Sequence, residues 1–128
     1  MSLSRQEVFN TVWQTFVVDH APRSVQDGCC MYSHINGGHG CAIGCLFKPE
    51  EIDPTWEGQS IEPLIKLAFE SFGPYADAFK PLREKLTLDD LVFYRDLQAV
   101  HDKEKTFPQI EQALRTIAQA YNLVIPEP

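Results

Sequence analysis

Cys29-Cys30-Met31-Tyr32-Ser33-His34-Ile35, then Asn36-Gly37-Gly38-His39, then Gly40-Cys41-Ala42-Ile43-Gly44-Cys45-Leu46-Phe47 is the stretch on which the fold class turns. Its two flanks read as strands, and the four residues between them read as a turn. Asn-Gly is a strong short-range hairpin signal, because both positions tolerate positive φ. The stretch therefore predicts a β-hairpin at about residues 29–47.

Outside it the period of the apolar residues is helical. Ser4-Arg5-Gln6-Glu7 forms a capping box, and Val8, Phe9, Val12, Trp13, Phe16 and Val17 recur on one broad face behind it. Asp19 to Gly28 reads as a loop. Ser60 can cap a helix with Pro63 in its first turn and a stripe of Ile61, Leu64, Ile65, Ala68, Phe69 and Phe72, ended by Gly73-Pro74. A short helical piece around Tyr75–Phe79 is expected to stop near Pro81. Thr87 opens a helix to about Asp102. Thr106 and Pro108 start the last one, whose stripe of Ile110, Ala113, Leu114, Ile117, Ala118 and Tyr121 ends at Asn122, a residue suited to a left-handed cap. Together these predict an α+β fold: a mostly helical single domain over residues 1–128, with four to five helices and the hairpin.

Length and charge narrow the function. A chain of 128 residues is enough for one domain and too short for two. No apolar run approaches the ~20 residues of a membrane span. Eighteen acids against eleven bases leave a net charge of −7, and residues 49–64 hold Glu50, Glu51, Asp53, Glu57 and Glu62 with no base. A nucleic-acid binder needs a basic stripe for phosphates, so neither nucleic acid nor membrane is expected as a partner. The acidic stretch can face a basic partner or a hard cation, or be a solvated loop and helix start. The N-terminus lacks the apolar core of a signal peptide, which predicts a cytoplasmic chain whose four cysteines stay reduced.

Cys30-Met31-Tyr32, Gly40-Cys41-Ala42-Ile43-Gly44, the later Glu57-Gly58 and the helix Leu97-Gln98-Ala99-Val100-His101-Asp102 resemble a family of short uncharacterised proteins of bacteria and their phages. That family carries a C-x-Y strand, a G-x-C-A-[IV]-G strand, a following E-G and an L-Q-x-x-H-D helix. The resemblance covers about a third of the chain. It implies architecture and a bacterial or phage setting, and it transfers no catalytic residue. Cys29 and Cys45 fall outside its pattern.

The hairpin bears the groups that could do chemistry. A turn at Asn36-Gly37 sets His34 opposite His39, and a turn at Gly37-Gly38 sets His34 opposite Cys41 and Cys30 opposite Cys45. Both registers group Cys30, Tyr32 and His34 with His39, Cys41, Ile43 and Cys45 on one face. His34, His39 and Cys41 could then hold zinc, although neither arm supplies a C-x-x-C knuckle. The competing reading is that reduced cysteines fill the core as small hydrophobes. A thiol-dependent enzyme would pair Cys30 or Cys41 with a histidine and an orienting third group. His101-Asp102 does not meet that need by adjacency, since neighbouring helical residues point about 100° apart. Gly38-His39-Gly40 begins a G-x-G-x-x-G frame but sets Ile43 at its third glycine, so it is no phosphate loop.

The resulting expectation is a cytoplasmic accessory or regulatory module that works through protein contacts. No cofactor is required, although a zinc site on the hairpin is the alternative and a thiol-dependent enzyme the third reading. Any ligand or partner surface is expected beside the hairpin tip and acidic loop, at His34, His39, Trp56 and Glu57. Trp56 could equally anchor that loop to the core.

Overall fold

The computed structural model describes residues 3–20, 25–26, 29–30, 42–57, 61–70, 73–103 and 106–126. The fold they build is helical. Five α-helices, α1 (Arg5–Trp13), α2 (Ile61–Glu70), α3 (Lys80–Lys85), α4 (Leu91–Lys103) and α5 (Phe107–Tyr121), are joined by short 3₁₀ turns. No helix among the described residues is long and apolar enough to cross a membrane.

The α+β class and the hairpin at 29–47 are overturned. Cys29–Cys30 pairs backwards with Val25–Gln26 in an antiparallel ladder of two residues a side, too short to form a layer. The expected second arm is no strand: Ala42 and Ile43 form a turn and Gly44–Leu46 a 3₁₀ helix. The apolar pattern explains why. Ala42, Ile43, Leu46 and Phe47 are all buried, so both adjacent pairs must face inward. A strand would send one member of each pair to the opposite face. The tight turn solves this, with Leu46 N–H on Ile43 C=O at 3.1 Å and Phe47 N–H on Gly44 C=O at 3.1 Å. The grouping of Ile43 and Cys45 on one strand face with Cys30 falls with the arm.

The helices form where capping and periodicity put them. Ser4 and Glu7 make the reciprocal capping box at the start of α1, and Thr106 with Gln109 makes another at α5. Asn122 closes α5 in the left-handed region at φ 56°. Val8, Phe9, Val12 and Trp13 of α1 bury against Ile110, Leu114, Ile117 and Ala118 of α5 and the inner faces of α2 and α4, in one core. Two positions depart from expectation. Pro81 lies in the first turn of α3 and starts a helix, as its fixed φ and missing N–H allow. Phe69 falls on the outer side of α2.

Long-range polar contacts fasten the ends. Gln6 on α1 donates to Val124 C=O at 2.7 Å and accepts from Val124 N–H at 2.8 Å, holding the tail that follows α5. Leu3 N–H reaches Lys85 C=O at 2.8 Å, tying the start of the chain to α3.

Candidate functional site

Trp56 is a core anchor, which removes it from the expected ligand surface. It is 0% exposed, its indole N–H donates to Ala78 C=O at 2.8 Å, and its ring meets Phe47 edge-on at 5.3 Å. The local sequence turns it inward. Asp53 accepts both the N–H of Thr55 at 2.9 Å and its hydroxyl at 2.7 Å, and Trp56 N–H closes on Asp53 C=O at 3.0 Å. Glu57, the next residue, is partly buried. His34, His39 and Cys41 lie outside the described residues. Among the described residues no three His, Cys, Asp or Glu side chains gather as a metal site would require.

Much of the acidic stretch is occupied structurally. The Glu51 carboxylate accepts Lys48 N–H at 2.8 Å and the Lys85 ammonium at 2.9 Å. Lys85 also donates to Leu46 C=O at 2.9 Å and lies 4.9 Å from the Phe47 ring centre, so one ammonium pins the 42–51 loop to α3. Burial opposes ionisation of Glu51, but these donors outweigh it and hold its carboxyl below the usual range. Cys45 is a half-buried thiol whose S–H donates to Ala42 C=O at 3.1 Å.

Gln98 and His101, one turn apart on α4, point into the protein. Gln98 accepts the Ile43 N–H at 3.3 Å, which joins the two stretches that carried the family resemblance. His101, 2% exposed, sets its ring at 5.4 Å and 66° to Phe16. Phe16 belongs to a π-helical turn, Gln14–Val18, that continues α1 and closes through Asp19 N–H on Gln14 C=O at 2.9 Å. Such widened turns are rare and recur at functional sites. Beyond it His20 takes φ 51° and stacks flat on Phe107, 4.4 Å away at 13°. A cleft of about 320 Å³ opens there between Val17, His20, Phe107, Pro108, Glu111 and Gln112. Its carboxylate, Glu111, is held by Arg115 at 3.0 Å, and Arg115 lies over the Trp13 ring.

The second surface lies on α2 and α4, and reading the sequence did not find it. Leu67 and Phe69 are 41% and 38% exposed; Leu88 and Val92 are 47% and 53% exposed. Leu88, Val92 and Arg95 follow one another at helical spacing on the outer side of α4 and the turn before it. Arg95 reaches Glu62 of α2 at 3.5 Å, and Glu62 also faces Lys66 at 3.6 Å. At the other end of α2, Arg83 donates to Ala68 C=O at 3.2 Å and ties α3 to that terminus. The two helices therefore run antiparallel. Seven residues from Glu62 to Phe69, and seven back from Arg95 to Leu88, each advance roughly 10 Å, which brings Phe69 level with Leu88. The result is an apolar strip with charge along one side, an arrangement that binds protein better than it binds a small polar ligand. No family model, curated protein or solved structure matches the chain.

Proposed function

We propose that the protein is a small accessory or regulatory module that acts through protein contacts in the cytoplasm, in the bacterial or phage setting that its family resemblance implies. One observation carries this reading: Phe69, Leu88 and Val92 stand exposed together across the α2–α4 seam. Isolated apolar residues on a surface need no explanation, but a contiguous set is covered when the protein works. The test is a photo-crosslinking residue at Val92 in the full chain, expressed in its host. A discrete protein adduct that disappears with Leu88→Asp supports the reading. Adducts no different from those of the same probe at Gln119, on the solvent side of α5, overturn it.

A second reading, thiol-dependent chemistry, draws on the bond between Gln98 and Ile43. It ties the turn of α4 that bears His101 to the backbone two residues after Cys41. If His101 activates that thiol, alkylation of Cys41 follows a pKa below the ordinary ~8.5, and His101→Gln moves it back up. An ordinary pKa unaffected by the substitution removes this reading. A zinc site at His34, His39 and Cys41 predicts a native mass heavier by one zinc ion, lost on His39→Ala.

A further inference from the structure

We infer that the partner covering the α2–α4 face is a second copy of this chain, in a two-fold dimer centred on Val92. The inference rests on the protein-contact reading above and names the occupant. Three features of the face point to it.

The first is charge. A chain of net charge −7 repels its own copies over most of its surface. The α2–α4 face is where that repulsion is locally cancelled. Glu62 and Asp89 flank the apolar strip with Lys66 and Arg95, two acids against two bases. A strongly basic partner would find its match in the acidic stretch at 50–57, not here.

The second is self-complementarity. In a two-fold interface the same patch serves both sides, so each charge needs its opposite elsewhere on that patch. Glu62 and Arg95 supply that pair. Their present bond is long at 3.5 Å, and the two side chains are half to a third exposed. Exchange of Glu62 with Arg95 of the other copy keeps both charges paired.

The third is placement. Val92 is the most exposed large apolar side chain on either helix, with Leu88 one turn before it and Arg95 one turn after. An antiparallel approach of two α4 helices crosses at Val92 and sets Leu88 of each copy towards Arg95 of the other. The remaining exposed apolar residues do not extend the strip: Val18 follows the π-turn, and Val124 lies on the tail clasped by Gln6.

The experiment is sedimentation equilibrium of the purified full chain from micromolar to millimolar concentration, with the Val92 photo-probe run in parallel. The expected result is a reversible species of two chains, a probe adduct of twice the chain mass, and a dissociation constant weakened about tenfold or more by Val92→Asp or Leu88→Asp. Both sites are exposed, so circular dichroism should show the variants folded. A dimer indifferent to both substitutions overturns this face as its interface. A chain that stays monomeric while the Val92 probe captures another protein in the host overturns the second-copy inference and leaves the protein-contact reading standing. A monomer with no adduct above the Gln119 control overturns both.

Discussion

The side-chain oxygen of Gln98 receives the backbone N–H of Ile43 at 3.3 Å, across 55 positions of sequence. Both ends of this bond are buried, so it replaces water for a backbone donor in a turn that has no ladder to satisfy it. It holds the 42–47 turn on α4 where a β-hairpin was expected. Gln98→Leu keeps the volume and removes the acceptor, leaving a buried donor unsatisfied at about 1–3 kcal/mol. Urea unfolding monitored by circular dichroism measures it, and a loss under about 0.5 kcal/mol would show the turn held by packing alone.

Leu114 sits fully buried at the centre of α5, facing α1. Leu114→Ala should lower stability by about 2–5 kcal/mol in the same assay. A loss below about 1 kcal/mol would mean that the core between α1 and α5 closes around the cavity.

Trp56 should behave as a buried chromophore. In a Trp13→Phe background its emission should be blue-shifted and poorly quenched by acrylamide, and Trp56→Ala should cost about 3–5 kcal/mol. Red-shifted, freely quenched emission would return Trp56 to the surface.

Acid and alkali should act through different residues. The Ser4 N–H and hydroxyl hold the Glu7 carboxyl low, and the donors around Glu51 do the same against its burial. A folded pKa below the unfolded one contributes stability above about pH 4.3, lost as the pH falls through the folded value. Burial drives the Tyr94 hydroxyl up, even though its oxygen accepts the Thr87 N–H at 3.0 Å. Its contribution is complete below about pH 10 and disappears as the pH rises through the folded value. Melting temperature against pH should therefore lose part of its acid slope in Glu51→Gln and part of its alkaline slope in Tyr94→Phe. Unchanged slopes would contradict these assignments.

Asn122 occupies a backbone conformation that penalises a Cβ. Asn122→Gly should be neutral or mildly stabilising, and Asn122→Ala should cost about 1 kcal/mol. Equal melting temperatures for the two would show that the end of α5 frays rather than closes.

The elements legible in the sequence are those settled by neighbouring residues. Ser4 with Glu7, Thr106 at the start of α5 and Asn122 at its end each declare themselves through a local hydrogen bond or a local φ. The 42–47 turn does not, because the adjacent buried pairs Ala42-Ile43 and Leu46-Phe47 fit a strand, a turn or a helix until α4 stands opposite them. Asn36-Gly37 was one hairpin signal and Asp27-Gly28 another, and the observed ladder brackets the second. Local turn chemistry cannot rank two such signals, since it takes no account of what the strands pack against. Phe69 misled for a related reason: its helical spacing was right, but an inward stripe is defined by the partner helix. The same ignorance of partners hid the Leu88–Val92 strip and placed Trp56 on the surface. The stacked histidine at 20 carries no sequence signal beyond its place ahead of Pro22.

The π-turn at Gln14–Val18 has a consequence for how related chains would line up. A π-turn is an α-helical turn carrying one extra residue. A relative lacking one residue between Gln14 and Val18 would keep α1 and its buried face intact. Everything after the turn would be rotated by about 100° around the helix axis and drawn back by roughly 1.5 Å. His20 would then leave Phe107, and the cleft beside α5 would lose one wall. A single-codon deletion at this point therefore separates chains that share the core from chains that also share the cleft.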